Sequence, residues 1–448
     1  MNAMPARDSR RLSHRLAHSR NWLPACLFGL AIAGPAHADA VLDWNATFDS
    51  ASPAVGGPPQ RAYLGAMVHI AIHDALNSID PRYETYNVMA PANFHASPDA
   101  AIAAAAHDVL INQLSRAPDS AAKIAARAEV EGKYVAALAA IPNGNAETRG
   151  IEAGQAAAAA IIARRTGDAF ATPNLPYTLA PALGVYQPTP PALAPPAYAG
   201  WASLAPFAMT RPSQFRSGPS PIFNLKGLPY LLNYLEVKYV GSAAMRSAVP
   251  DSDRSRIARF WPNGGANGNA VARTIVAGRN LDRWQQARLF GLLNIANVDA
   301  TISVFDTKYT YNFWRPITAI RWASDGNPFT ESDPNWLSYL PTPPYPDYTC
   351  GLTITVGSSN EVLRRYFGSD AMRYTLSATI PQAAPLPPET LTRSYRTLSQ
   401  ASAESVDARV FGGMHFRDGC EQGVRQGGKV GRFTFDHYLR PLRPWHRH

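Results

Sequence analysis

Three cysteines in 448 residues leave no CxxC pair and no Cys/His cluster with zinc-finger spacing. A disulfide scaffold and a structural zinc module are therefore both excluded. Charged residues make up only 17% of the chain and hydrophobic ones 46%, the balance of a folded protein and not of a disordered one. No run of 18 or more apolar residues appears, so nothing reads as a membrane-spanning helix. No alternating run is long enough to read as a sheet. The net charge of +9 is small for this length, and residues 1–38 supply four of it through five arginines against Asp8. The +5 that remains makes a weak case for nucleic acid, and no such partner is expected.

Residues 1–38 read as a secretory signal. A basic stretch runs to Arg20, an apolar one covers 22–33, and Ala36-His37-Ala38 is an A-x-A cleavage site. Cys26 follows Leu23-Pro24-Ala25, like a lipoprotein box, but it opens the apolar stretch instead of closing it. An exported protein, periplasmic or secreted and without stable membrane insertion after cleavage, is the expectation. Beyond it, three regions are expected. Residues 39–170 are an Ala-rich helical region, with helices from 60 and over 98–114, 121–140 and 147–165. Residues 171–225 are a Pro-rich connection, either a long ordered segment or an inter-domain strap. Residues 226–448 are helical again, at 230–239, 253–261, 270–277, 281–304, 307–322, 351–367, 389–411 and 415–430, with a second Pro-rich stretch at 334–346. Helices joined by Pro-rich loops predict an all-α bundle.

Two basic clusters carry the candidate chemistry. In Lys308-Tyr309-Thr310-Tyr311-Asn312-Phe313-Trp314-Arg315-Pro316 the cations are seven residues apart. On a helix that spacing comes within about 20° of two full turns, so both would share one face. Aromatics between them imply a packed face, and two cations there need an anion, either a neighbouring carboxylate or a bound oxyanion. The second cluster is Arg409-Val410-Phe411-Gly412-Gly413-Met414-His415. The glycines would end one helix and begin another, with His415 in the new first turn, where a helix N-terminus favours anions.

At these residues the chain resembles the vanadium-dependent haloperoxidases and the related type 2 phosphatidic acid phosphatases. Their signature is Lys and Arg seven apart followed by Pro, then Pro-Ser-Gly-His, then Arg with His six residues later. Lys308, Arg315-Pro316, Arg409 and His415 match the outer parts. The stretches 63–79 and 151–168 are also similar to N-terminal helices of bacterial members. The resemblance implies the helical fold of that family, with vanadate as cofactor and phosphate as competing oxyanion. Lys308, Arg315, Arg409 and the Cys350–Gly351 turn would hold the oxyanion. His415 would be the catalytic vanadium ligand, and Tyr345 would flank the halide. Hydrogen peroxide and halide are the implied small-molecule substrates. The alternatives are an exported acid phosphatase working through a phosphohistidine at His415, and a non-catalytic oxyanion binder; a homo-oligomer is compatible with each.

The middle motif departs from the pattern. In Thr349-Cys350-Gly351-Leu352, Cys350 stands for the family's Ser and Leu352 for its acid/base His. Leucine carries no proton, and losing a general acid/base costs about 10²–10⁴ in rate. Three accounts are open: binding without efficient turnover, proton transfer by another residue such as a neighbouring tyrosine, or a substrate with an activated leaving group. The family's Asp four residues past the His is replaced by Gly419, with Asp418 one earlier, so the partner that orients His415 is undetermined. Because the resemblance brings the middle and last motifs together, a Cys350–Cys420 disulfide is the staple it implies, against two separate buried thiols. His69 and His73, four apart on one helix, could ligate a metal; lacking a third ligand, they read as core residues. Asp74 and Asp108 read as caps or interhelical partners.

Overall fold

Two helices buried on every side organise the protein, and they follow from apolar residues that occur around the whole helix rather than along one stripe. The computed structural model describes residues 39–168, 176–382 and 386–442, so the leader read in residues 1–38 lies outside them. In chain order the helices are α1 (Ala40–Ala51), α2 (Pro58–Ile79), α3 (Pro98–Arg116), α4 (Ala121–Ala139), α5 (Asn145–Arg164), α6 (Leu228–Val240), α7 (Ala243–Ala248) and α8 (Asp253–Phe260). They continue as α9 (Gly268–Val276), α10 (Arg283–Tyr311), α11 (Pro316–Arg321) and α12 (Gly351–Phe367). An antiparallel pair, β1 (Tyr374–Ile380) and β2 (Glu389–Tyr395), precedes α13 (Leu398–Phe411) and α14 (Arg417–His437). The fold is mostly helical, and α2 and α10 are its central, mutually packed pair. By composition α10 could cross a bilayer, but 94% of that stretch is buried inside the protein. It is a core helix, started by a capping box in which Asp282 and Gln285 satisfy each other's backbone N–H.

Around this pair the other helices close in through small residues. Alanines 100–106 of α3 are buried against α5, where a methyl on Gly150 or Gly154 would overlap the carbonyls of Ser97 and Ala101. α12 and α14 meet the same way: Gly423, Gly427 and Gly431 of α14 lie on the backbone of α12, and Gly357 of α12 lies on Val424. Only glycine permits that approach, and it brings the segments on either side of the candidate site together.

Several expected boundaries are corrected. α1 was not foreseen; Asp39 caps it and Trp44 and Phe48 bury its apolar face. The strand pair was also unforeseen, although Tyr374, Leu376, Ala378 and Ile380 alternate inward along β1, and residues 389–395 are strand rather than the start of α13. Residues 281–304 and the start of 307–322 are one continuous helix, α10, which ends at Asn312 with a left-handed φ of 49°. Arg315 therefore does not share a helix face with Lys308. It precedes Pro316, which disfavours helical backbone before it, and it takes the extended conformation as the N-cap of α11. His415 likewise sits in the turn before α14, not in its first turn.

From residue 176 on, the Pro-rich connection is an ordered strap in the same compact unit as the described helices. Asp299 of α10 accepts the N–H groups of Phe207, Ala208 and Met209 at 2.6–2.7 Å. Tyr186 donates to Asn312 O, and Trp314 donates back to Gly184 O, so the strap runs along the exit of α10.

Gly427→Ala should lower stability by about 1–3 kcal/mol, because the methyl meets the Ile354 carbonyl. Gly428→Ala, whose methyl would meet nothing, should be neutral or stabilising by up to ~1 kcal/mol. Urea unfolding of both variants measures the contrast; equal midpoints would remove the close-packing account.

Candidate oxyanion site

Loop 343–347 is held by the two cations of the first cluster. Lys308 Nζ donates to Pro346 O at 2.7 Å and Asp347 O at 2.9 Å. Arg315 Nε donates to Tyr345 O at 2.7 Å, Nη2 reaches Pro343 O at 3.3 Å, and Nη1 donates to Met414 O at 2.7 Å. Both side chains are fully buried. The Tyr345 ring lies between them, its centroid 5.0 Å from Lys308 Nζ and 5.1 Å from Arg315 Cζ. Burial, reinforced by the Arg315 charge, pushes the Lys308 ammonium down to about 7.

Arg315 Nη1 also approaches His415 Nε2 at 3.0 Å, while His415 Nδ1 is 2.8 Å from Asp347 Oδ1. A proton on Nδ1 satisfies both contacts and leaves a lone pair on Nε2. Neither Asp347 oxygen has an aligned hydrogen bond, so the carboxylate acts on His415 and on Arg315, 3.7 Å away, chiefly through its charge. Asp347 is the orienting partner that the sequence left undetermined. Asp418 does not serve: it accepts from Ser220 Oγ and from no atom of His415. The available signal was an acidic residue inside the apolar run 345–352, where a buried carboxylate needs a cation or a donor.

Arg409 reaches the site from the last turn of α13. The turn that follows requires Gly413, whose φ is +78° and where a side chain would overlap the Gly241 carbonyl. Arg409 is 94% buried by side-chain packing, yet its Nε has no hydrogen-bond partner. It lines a cavity of about 600 Å³ together with His415, Gly351, Leu352 and Tyr345. Gly351 and Leu352 open α12, so their N–H groups have no partner within the helix. Lys308, Arg315 and Cys350 lie behind this wall and not on it. The expected three-cation cage is therefore one facing arginine backed by two cations already bonded to carbonyls.

Gln426 of α14 ties the surroundings together, accepting from Thr349 Oγ1 at 2.7 Å and donating to Ser303 Oγ and Thr307 Oγ1 on α10. Cys350 and Cys420 are free buried thiols, which corrects the implied staple. Their sulfurs and a ring nitrogen of His415 lie within 4.8 Å of one another. Burial pushes Cys350 up, but the neighbouring Cys420 and His415 side chains and the Arg409 charge outweigh it and hold it well below the ordinary thiol range. Burial and the neighbouring sulfur push Cys420 up.

His69 and His73 are core residues. His69 Nδ1 donates to Gly65 O at 2.8 Å and Nε2 meets Asn45; His73 Nε2 donates to Glu84 O. Asp74 caps the turn at Tyr86 and Asn87, and Asp108 pairs with His107.

With this geometry established, likeness to known proteins can be placed on it. Residues 288–444 match the family model described as the VCPO second helical-bundle domain. Over 91 residues the chain is 35% identical to the vanadium chloroperoxidase of Curvularia inaequalis, a match spanning 18% of this chain and only 14% of that protein. Two solved structures share the fold. A bacterial vanadium-dependent iodoperoxidase matches at a TM-score of 0.72 and 23% identity, covering 90% of this chain and 97% of that one. A bacterial vanadium-dependent chloroperoxidase matches at 0.65 and 18%, covering 86% and 93%. Residues 288–444 are thus similar to the second helical-bundle domain of vanadium chloroperoxidases and the whole described chain shares the fold of the two bacterial structures, with the middle motif altered at Cys350 and Leu352.

Burial holds His69 near 4 instead of its ordinary 6.5. Between those values the unfolded chain binds a proton that the folded one does not. Its contribution to stability is thus intact above pH 6.5 and declines as pH falls toward 4, by about 3 kcal/mol in total. The stability gap between the protein and His69→Gln should narrow from pH 7 to pH 4.5 in urea titrations. An unchanged gap would mean that folded His69 already carries the proton.

Proposed function

We propose that the protein binds vanadate in the Arg409–His415 pocket and uses it to oxidise halide with hydrogen peroxide. The observation that carries this reading is Arg409: a buried guanidinium with an unpartnered Nε, facing a cavity beside an imidazole lone pair and the N-terminus of α12. A compact oxyanion fits that donor set. Arg409 would supply charge-assisted bonds, and the Gly351 and Leu352 N–H groups further ones. His415 Nε2 would supply a nitrogen ligand once it gives up its contact with Arg315. When bound, vanadate supplies a Lewis-acidic centre for peroxide. The protein's own part is to orient the His415 ring through Asp347 and to keep positive potential behind the site through Lys308 and Arg315.

Leu352 lines the same cavity and cannot move a proton, so turnover is expected to be low. Tyr345 is a hydroxyl-bearing residue on the same wall; burial raises its phenol, so it stays protonated and can offer a hydrogen bond. A second reading is favoured by the Asp347–His415 pair, in which a carboxylate orients a histidine nucleophile as phosphoester hydrolysis through a phosphohistidine requires. Non-catalytic oxyanion binding is the third. The pattern of residues 1–38 supports export to the periplasm or medium.

Calorimetric titration with orthovanadate, followed by halide oxidation and p-nitrophenyl phosphate hydrolysis side by side, separates the three. Vanadate should bind, with Arg409→Ala weakening it roughly 30-fold or more. Tight binding without either activity would leave the binder; hydrolysis alone would leave the phosphatase. Leu352→His should raise halide oxidation by about 10²-fold. An unchanged rate in a variant that still binds vanadate would remove Leu352 as the cause of slow turnover.

A further inference from the structure

Away from the cavity, the chain buries another arginine whose charge nothing in the fold answers. Arg246, on the short helix α7, is 5% exposed, and its Nε has no hydrogen-bond partner. Among the described residues no carboxylate lies within 4.0 Å of Arg246 or of its neighbour on α8, Arg254. The acidic side chains of this region are committed elsewhere, Glu389 to Arg259 and Asp253 to Arg393 at 2.8 Å. Burial and the Arg254 charge push the Arg246 guanidinium down from its ordinary range. The fold nevertheless holds the two arginines in place. Ser255 Oγ donates to Arg246 O at 3.2 Å, which ties α7 to α8, and the Arg254 guanidinium lies 5.4 Å from the centre of the Phe411 ring. Tyr339 joins them, its N–H on Gly241 O at 3.0 Å and its phenol kept protonated by burial. A buried cation unpaired beside a second one loses solvation and meets like-charge repulsion, and an anion bound between them offsets both.

We propose that Arg246 and Arg254 form a further oxyanion site, for a doubly charged tetrahedral ligand of the phosphate or sulfate class. Two guanidinium forks offer paired N–H donors that match paired oxygens, and their two charges balance a dianion rather than a single carboxylate. The Tyr339 hydroxyl is another donor in the same group. None of the three residues lines the Arg409 cavity, so the site is distinct from that pocket. It is joined to the turn that carries His415, however. Phe411, beneath Arg254, follows Arg409 by two residues, and the Gly241 carbonyl packs so closely on Gly413 that a methyl there would overlap it. A bound oxyanion therefore clamps α7 and α8 against the segment that places Arg409 and His415. Because the unfolded chain lacks the site, binding also stabilises the fold.

Inorganic phosphate is the probe, titrated calorimetrically into the full-length, vanadate-free protein at constant ionic strength in chloride. Arg409→Ala should keep a saturable phosphate site, and adding Arg246→Met should weaken it by about tenfold or more. Sulfate should compete there, and acetate, with one charge, should not. In phosphate-free buffer Arg246→Met alone should be at least as stable to urea as the parent, because it removes a buried, unpaired charge and keeps a long side chain. The proposal is overturned if Arg409→Ala binds no phosphate, or if the double variant binds it unchanged. Acetate bound as tightly as sulfate would overturn it too, as would an Arg246→Met midpoint well below the parent's, which would mean that the guanidinium already has a partner in the protein. Failure here leaves vanadate binding by Arg409 unaffected, and failure of vanadate binding leaves the phosphate site at Arg246 unaffected.

Discussion

Burying Lys308 and Arg315 in one small region creates a demand that the surrounding backbone must meet. No carboxylate forms a short, aligned pair with either one; Asp347 stays 3.7 Å from Arg315. Instead, the carbonyls of residues 343, 345, 346, 347 and 414 receive their donors. Unmade bonds here would cost several kcal/mol per charge, so the loop conformation is set by these cations. Tyr345, Asp347 and the start of α12 all follow from where that loop lies. The turn carrying His415 is fixed from the other side by the Met414 carbonyl on Arg315.

Placed this way, the two cations act at one remove. Their donors are committed to protein carbonyls, while their charge persists behind His415 and the cavity wall. Arg409, on a different helix and with an unpartnered Nε, is the cation that faces the open space. The cavity lies on one side of His415 and the buried cations Lys308 and Arg315 on the other. That asymmetry sets the His415 ring between open space and fixed positive charge.

The supporting architecture relies on backbone contact more than on large side chains. Glycines of α14 lie against the backbone of α12, and Gln426 links α14, α10 and Thr349. Such interfaces tolerate little displacement, because a methyl group already exceeds the space available. The strap of residues 176–220, pinned by Asp299 and by the exit of α10, adds a layer on the loop side.

Much of this was legible in the residues. The helical class, the start and end of α12 and the four matching motif residues could be read directly, because helix periodicity and motif spacing are local properties. The inward alternation of β1 was also present, but seven residues between helices are too short to stand out. What the residues alone misplaced was geometry: Lys308 and Arg315 keep their seven-residue spacing yet belong to different elements, since α10 ends at the left-handed Asn312 and Pro316 keeps Arg315 extended. Asp347 as the partner of His415, the glycine seam of α12 and α14, and the adjacent but unbridged cysteines were decided only in three dimensions. Each depends on which backbone atoms from distant segments come to surround a buried group, and that is set by packing of the whole chain.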